Sequence, residues 1–440
     1  MAIHKETKMK TSGVEWIGEI PDDWEVYRNK NAFVCNKEIV GKNSNNIQLL
    51  SLTTGGIKCK DINNAEGKLP ESFDTYQYVK KNDVVMCLFD LDMSAVFSGI
   101  SQYDGMISPA YKVLSCQDRA NPLFVHYWFS YIFDGRKFNH YAKNIRYTLN
   151  YDEFATLPIL LPPKEIQQRI ATYLDKKCSK IEETIQNQQQ VIEKLKAYKQ
   201  SLITEAVTGK VKIANGKICG EYESYKESGV EWIGKIPSGW EVKKLKYIAD
   251  SFSKGSGITK EEIVINGDTP CVRYGELYTK YDYHFTECQT RTNLGIIETP
   301  KYFSHGDVLF TCTGELVEEI GKSIAYLGNE KCLAGGDIIV LKHSQDPMFM
   351  GFALDSKYVQ GQKSFGKTKL KVVHISSGEI ARLLIVLPPK EEQKEIADYL
   401  DKKCTAIDTA IEQKQNLIEK LTEYKKSLIY ECVTGKKEIM

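Results

Sequence analysis

The chain reads as α/β, with two α/β domains joined by two long helices that pair with each other as an intramolecular coiled coil. Three observations predict this. First, the chain repeats itself. Residues 161–178 (LPPKEIQQRIATYLDKKC) and 387–404 (LPPKEEQKEIADYLDKKC) agree at fourteen of eighteen positions. SGVEWIGEIP from Ser12 returns as SGVEWIGKIP from Ser228, with Glu19 replaced by Lys235. Second, β-branched runs and capped helices fill the space between these repeats. Third, an apolar spacing of three and four residues runs for several heptads after each LPP. Two copies of one unit, roughly 12–210 and 228–436, give a pseudo-two-fold molecule with two similar working surfaces.

Each copy opens with SGVEWIG-x-IP-x-x-WEV, which holds Trp16, Trp24, Trp232 and Trp240, four of the five tryptophans. So much aromatic surface in one short motif predicts an apolar clasp. In the middles, 83–89 (DVVMCLF), 307–313 (DVLFTCT) and 337–342 (DIIVLK) read as strands. Residues 121–133 and 346–359 read as helices, each with Asn or Asp as N-cap and proline at the first helical position.

Each copy closes with a long helix. In the first, Pro162 and Pro163 precede it, Glu165 lies in its first turn and Gly209 stops it. From Lys164 to Ala206 it spans about 65 Å at ~1.5 Å per residue. Its seam runs through Leu174, Ile181, Gln188, Leu195 and Leu202, interleaved with Cys178, Ile185, Ile192, Lys199 and Ala206. The second copy keeps register with Leu400, Ile407, Lys414, Leu421 and Leu428, interleaved with Cys404, Ile411, Ile418, Lys425 and Cys432. Two such helices in one chain most simply pair with each other. The resulting domain plan is 1–160, a long helix at 161–208, a linker at 209–227, a second α/β domain at 228–386 and a second long helix at 387–440.

The middles differ. The copies are offset by 216 residues at the opening motif and 226 at the helix, so the second middle is ten residues longer. A retained frame around divergent middles is the pattern of two different recognition surfaces on one scaffold.

Composition narrows the class. The chain is 42% hydrophobic and 27% charged, the balance of a soluble globular protein. No apolar run approaches the roughly 20 residues that span a membrane, so no membrane partner is expected. MAIHKETKMK lacks the apolar stretch of a signal peptide, which points to the cytoplasm. None of the twelve cysteines is spaced as CxxC, so no zinc or redox site is expected. They read as small buried hydrophobes in a reducing compartment. A net charge of +1 excludes a strongly basic surface overall and confines any phosphate-binding footprint to local patches.

Motifs for covalent chemistry do not survive inspection. Asn121-Pro122-Leu123-Phe124 and Asp346-Pro347-Met348-Phe349 are similar to the amine-holding motif of amino-methyltransferases, but the second proline is replaced and both begin helices. Residues 314–323 (GELVEEIGKS) place six residues where a phosphate-binding loop has four. Gly255-Ser256-Gly257 is a lone GxG. No HExxH or GxSxG occurs. The expectation is no catalytic residue, no metal and no cofactor in this chain.

Binding residues are sought in the middles. Lys143, Asn144, Arg146 and Tyr147 precede the final strand of the first middle, and Lys367, Thr368 and Lys369 occupy the matching stretch of the second. Arg273 and Tyr274 lie opposite 52–56 of the first copy. Lysine and arginine attract phosphates, and arginine can read guanine edges.

The whole pattern, about residues 12–436, resembles the specificity subunit of type I restriction-modification systems. The resemblance is carried by WIGEIPDDWEV and WIGKIPSGWEV, by LLPPKEIQQRIATYLD and VLPPKEEQKEIADYLD, and by two long helices ending in VTGK. It implies that each middle is a target recognition domain reading one half of a bipartite double-stranded DNA sequence. It implies an antiparallel helix pair as spacer and two docked methyltransferase (modification) subunits carrying S-adenosylmethionine. Restriction (translocase-nuclease) subunits would join them, with this chain itself non-catalytic. Two other readings remain at this point: a coiled-coil adaptor that never reads DNA, and a self-contained DNA methyltransferase or nuclease.

Overall fold

The computed structural model describes residues 8–61, 70–142, 146–297, 299–368 and 372–439. The chain forms two compact units, each discontinuous in sequence. One comprises 1–188 with 415–440, and the other 189–414. The long helices, Lys164–Val207 and Lys390–Val433, are therefore divided, and each unit takes one end of both.

Unit 1 is built around a four-stranded antiparallel sheet in the order Phe33–Asn36, Lys112–Cys116, Val84–Met86, Ser98–Ile100. The helix Pro122–Asp134 packs on it, capped by Asn121, whose side chain accepts from the Leu123 and Phe124 amides. The apolar run at 83–89 gives a strand only at Val84–Met86, buried on both faces. The frame closes by pairing its two ends: Glu25–Arg28, just after Trp24, lies antiparallel to Pro158–Leu161, just before the long helix.

Unit 2 repeats that closure, with Glu241–Lys244 against Leu384–Leu387. Its main sheet has five strands, in the order Ala249–Lys254, Ile338–His343, Val308–Thr311, Ser323–Tyr326, His284–Phe285. A second sheet of four strands, in the order Thr290–Thr292, Thr269–Val272, Cys332–Ala334, Tyr302–Phe303, has a counterpart in the first copy, where Gly56–Cys59, Leu50–Thr53, Gly105–Ile107 and Gln77–Val79 follow in the same order and a parallel bridge joins Leu49 to Met106. The helix expected over 346–359 is two helices, Pro347–Leu354 and Lys357–Ser364. The break is local chemistry: Ser356 is buried in extended backbone and its hydroxyl donates to the Ala353 carbonyl. The linker expected at 209–227 is also structured, as a hairpin of Ile213–Ala214 with Lys217–Ile218 followed by Tyr225–Glu227 paired to Lys235–Pro237.

In each unit the helix ends share the core of the frame. In unit 1, Leu174, Cys178 and Ile181 join Leu428, Ile429 and Cys432 in one apolar cluster. Glu182 meets Lys425, whereas Cys178, one turn earlier, neighbours Cys432, two turns later, so the pair is antiparallel. In unit 2, Leu202, Ile203 and Ala206 pack with Ile396, Ala397, Leu400 and Cys404. Of the other seam positions, Ile192 and Ile407 are buried, while Ile185, Leu195, Ile411, Ile418 and Leu421 are half-buried. Two helices alone cannot enclose a seam where no α/β domain covers it.

The tryptophan clasp divides by position. Trp24 and Trp240 are buried, and Trp16 and Trp232 are partly exposed. Gly209 and Gly435, just past the two long helices, have φ near +72°. A Cβ on Gly209 would lie 2.4 Å from Pro237 and 3.1 Å from Trp240. On Gly435 it would lie 2.4 Å from Pro21 and 3.2 Å from Trp24. Glycine supplies both the left-handed backbone and the close approach. The helix of the first copy therefore ends on the frame of the second, and the helix of the second copy ends on the frame of the first.

One buried group gives unit 2 a pH dependence. Burial pushes the His343 imidazole down to about 4, although Asp250 and the Gln345 amide oppose it. The folded state then binds fewer protons than the unfolded chain between that value and about 6.5. Its contribution is present above about 6.5 and lost as pH falls through about 4, up to roughly 3 kcal/mol. We predict a urea midpoint for unit 2 that falls between pH 7 and 4.5, with a flatter profile in His343→Gln. An unchanged profile in the variant would refute this assignment.

Candidate nucleic-acid interface

The closing stretches of the two middles are aligned by their caps. Asn150 and Ser376 each begin a short helix with a capping box, completed by Glu153 and Glu379. The backbone just before them is fixed alike: Leu149 donates to the Leu88 carbonyl, and Ile375 to that of Cys312. This sets an offset of 226, the same as in the long helices, and it shifts the matching of 143–147 to 366–370 by three residues. Arg146 stands opposite Val372, not opposite Lys369. At this offset the stretch keeps a single shared side chain, Lys143 with Lys369, too little for a sequence alignment to hold the register.

Lys143, Asn144 and Lys369 lie outside the described residues. Arg146 and Tyr147 are exposed, and Tyr147 takes a left-handed φ of 46° while its carbonyl accepts from the Leu91 amide. Thr368 is exposed. Lys367 is engaged. Its Nζ donates to the His374 carbonyl at 2.6 Å and to Glu379 at 2.8 Å. That hydrogen bond holds the Glu379 carboxyl down at about 2, with the Ser376 amide and hydroxyl assisting against slight burial. A lysine used this way ties a loop to a helix start before it can reach a phosphate.

Arg273 and Tyr274 begin the helix Tyr274–Thr279. The Arg273 amide donates to Glu276, and its guanidinium lies 4.0 Å from the same carboxylate. Glu276 is buried and also receives Lys280 at 2.7 Å and the Thr290 hydroxyl at 2.9 Å. Tyr274 opens onto a cleft of about 630 Å³ lined by Tyr278, Gly314, Glu315, Glu318, Lys322 and Asp355. Carboxylates dominate this wall. It suits a group that donates hydrogen bonds better than a phosphate, and Glu or Asp can accept from the cytosine amino group in a DNA groove.

The candidate catalytic motifs have structural roles. Asn121 and Asp346 use their side-chain oxygens as helix caps. The stretch at 314–323 runs from a short strand through the 3-10 turn Val317–Glu319, and Lys322 donates to the Tyr281 carbonyl. Among the described residues no group of three or more His, Cys, Asp or Glu side chains is placed to hold a metal.

Two sets of polar residues escaped the sequence reading. Gln167 and Gln393 are buried in the first turns of the long helices. Gln167 accepts from the Asn121 amide at 2.8 Å and donates to the Pro162 and Arg119 carbonyls, each at 2.8 Å. Gln393 accepts from the Asp346 amide at 3.0 Å and donates to the Pro388 carbonyl and to Gln345, each at 2.9 Å. Each glutamine thus keys the capped helix of its middle onto the frame. The second set is ionic. Lys199, buried in the seam, meets Asp408 and Asp282, both at 2.7 Å. Burial alone would push its ammonium down, but the two carboxylates hold it above its usual value. At the equivalent place in the other copy Lys425 meets Glu182. The identity of Gln167 with Gln393 on an otherwise apolar face was the available signal.

Comparison with known proteins gives a consistent result. Residues 237–421 match the family model described as type I restriction modification DNA specificity domain. The chain is 23% identical over 462 residues to the specificity subunit assigned to the type I restriction enzyme MjaX of Methanocaldococcus jannaschii, covering 99% of this chain and 98% of the relative. It is 26% identical over 293 residues to the type I restriction enzyme MjaVIII specificity subunit of the same organism, covering 64% and 63%. A solved chain from a study of assembly and conformational transition in a type I R-M system matches its fold with a TM-score of 0.66 and 16% identity, over 94% of this chain and 98% of that one.

Proposed function

Since this chain belongs to the family of type I restriction-modification specificity subunits, we propose that each of its two middles reads one half of an asymmetric, two-part DNA target while the retained frame serves partners and spacing. The chain is a DNA specificity subunit, non-catalytic, and works as part of a type I complex. The observation that carries the finer reading is the contrast within the molecule. The two frames agree down to individual hydrogen bonds, at Gln167 and Gln393 and at the caps. Among the described residues the middles differ in strand number, and Arg146 and Tyr147 of the first stand opposite Val372 and Val373 of the second. A scaffold serving the same partner twice should repeat. Surfaces reading different base sequences should not.

The recognition domains in this reading are 1–160 and 228–386, and the long helices are the spacer. Each has 44 residues, about 66 Å at ~1.5 Å per residue, or nearly two turns of B-DNA at ~34 Å. Arg146 and Tyr147 serve one half-site. Tyr274 and Thr368 serve the other, with Arg273 bridging to the fold through Glu276. Methyltransferase subunits supply S-adenosylmethionine and modify adenine, restriction subunits cleave unmodified DNA, and partner surfaces supply much of the phosphate clamp that a chain of net charge +1 lacks. No helix among the described residues is long and apolar enough to cross a membrane.

Methylome sequencing tests this. Cells expressing the chain with its methyltransferase subunit should carry a methylated-adenine motif of two unlike halves with a fixed gap, absent when only this chain is deleted. Exchanging residues 228–382 for those of another specificity subunit should change one half of the motif and leave the other intact. A stable complex whose methylation does not depend on the chain would favour the coiled-coil adaptor instead.

A further inference from the structure

The second middle contains a segment that the first lacks. Between the strands Thr269–Val272 and Thr290–Thr292 the chain runs through residues 273–289, where the first copy joins Leu50–Thr53 to Gly56–Cys59 through Thr54 and Gly55 alone. The later part of this insertion plugs unit 2. His284–Phe285 lies parallel to Ser323–Tyr326 at the edge of the main sheet. The amides of Ala325 and Leu327 donate to the Tyr283 and Phe285 carbonyls at 3.0 and 2.8 Å. The side chains of the plug reach the long helices. Asp282 meets Lys199 at 2.7 Å, His284 meets Asp401 at 2.8 Å, and Gln200 donates to the Tyr283 hydroxyl at 2.9 Å.

Unit 1 has the socket without the plug. Ser98–Ile100 is the edge strand of its sheet, with no strand beyond it among the described residues. Ser101 donates to the Asp83 carbonyl as Tyr326 does to that of Asp307, so Ile100 and Gln102 hold the places of Ala325 and Leu327. Beside this edge lies a cleft of about 750 Å³, lined by Thr54, Gly55, His126, Asp175, Lys425 and Lys426. Asp175, Lys425 and Lys426 are the counterparts of Asp401, Lys199 and Gln200. Lys425 meets Glu182 as Lys199 meets Asp408, but among the described residues no second carboxylate pairs with it. One lining residue differs in kind. Counted from the caps Asn121 and Asp346, His126 replaces Gly351, where a Cβ would lie 2.4 Å from the Tyr283 carbonyl. A strand in this cleft must therefore lie farther from the capped helix than Tyr283 does. The imidazole has a group to offer it, because His126 Nδ1 is buried and makes no hydrogen bond among the described residues. Burial, aided by the Lys425 ammonium, pushes the titration of this ring down, so it meets a guest uncharged at neutral pH.

We propose that this cleft of unit 1 binds an extended segment of another protein chain, added as a strand beyond Ser98–Ile100, with a carboxylate for Lys425 and a cation two residues on for Asp175. Residues two apart face the same side of a strand, which is how Asp282 and His284 reach Lys199 and Asp401 together in unit 2. Main-chain bonds to an open sheet edge supply affinity, and alternate side chains supply selectivity. The site does not depend on what the two middles read.

The probe is a capped, fluorescent peptide of residues 280–286 (KYDYHFT), titrated into the full chain. Its anisotropy should saturate at one peptide per chain, because unit 2 is filled by its own segment. Asparagine in place of the peptide's aspartate should weaken binding about 10-fold, the worth of one charge-assisted hydrogen bond. Lys425→Met should weaken the aspartate peptide equally and leave the asparagine peptide unaffected. Gln102→Pro removes an edge amide without touching the charges of the cleft, and it should weaken both peptides. Matching melting temperatures show that the variants fold. No saturable binding up to about 1 mM peptide, or binding that both variants leave unchanged, overturns the proposal. So does a DNA duplex that binds less well to both variants while the peptide does not, which would assign the cleft to nucleic acid.

Discussion

Replacing Trp240 by alanine should destabilise unit 2 by about 3–5 kcal/mol, the range for removing a large aromatic from a packed core. Trp240 is 1% exposed, and its ring meets Tyr222 at 5.5 Å between centroids. Its indole N–H donates to Glu392 at 3.0 Å, and Tyr222 donates to the same carboxylate at 3.1 Å. The ring also forms the floor on which Gly209 ends the first long helix. One substitution therefore opens a cavity, leaves a carboxylate short of a donor and frees a helix terminus. Urea denaturation followed by the remaining tryptophans should show an early transition for unit 2. A loss below about 1 kcal/mol would show that the frame does not depend on this clasp.

Gln393→Leu should cost about 2–4 kcal/mol. The leucine fills the space but leaves the Asp346 amide and the Pro388 carbonyl without partners in a buried place, at about 1–3 kcal/mol per orphaned group. The same change at Gln167 orphans the Asn121 amide and the Pro162 and Arg119 carbonyls. Because each glutamine fixes the start of the middle's capped helix, the effect should reach function. The Gln393 variant should lose methylation in cells at a temperature where Gln167→Leu and wild type are compared side by side. Thermal melts of the two variants that match wild type would mean that these hydrogen bonds add nothing net over water.

The frame was readable in advance because two copies of it exist. Repetition exposed the clasp, the caps and the heptads, and each is short-range chemistry with a spacing of its own. The second sheet of unit 2 was not readable. Strands such as Thr290–Thr292 and Tyr302–Phe303 are three and two residues long and are held by neighbours distant in sequence, which leaves no periodic signal. The binding residues were the least legible. Lys367 has the charge of a phosphate ligand, but its partner Glu379 lies twelve residues on, and only the fold brings them together. Arg273 is drawn to Glu276 in the same way.

The crossed endings of the long helices have a consequence for connectivity. Thr208-Gly209-Lys210 closes on Pro237 and Trp240, and Lys210 donates to the Ile233 and Lys235 carbonyls. Thr434-Gly435-Lys436 closes on Pro21 and Trp24, and Lys436 donates to the Ile17 carbonyl. The two joints are alike, each made by the helix end of one copy and the tryptophan frame of the other. Each joint therefore needs a segment from both copies. A single copy, by contrast, holds a glycine hook and a tryptophan socket that belong to different joints, and neither is matched within it.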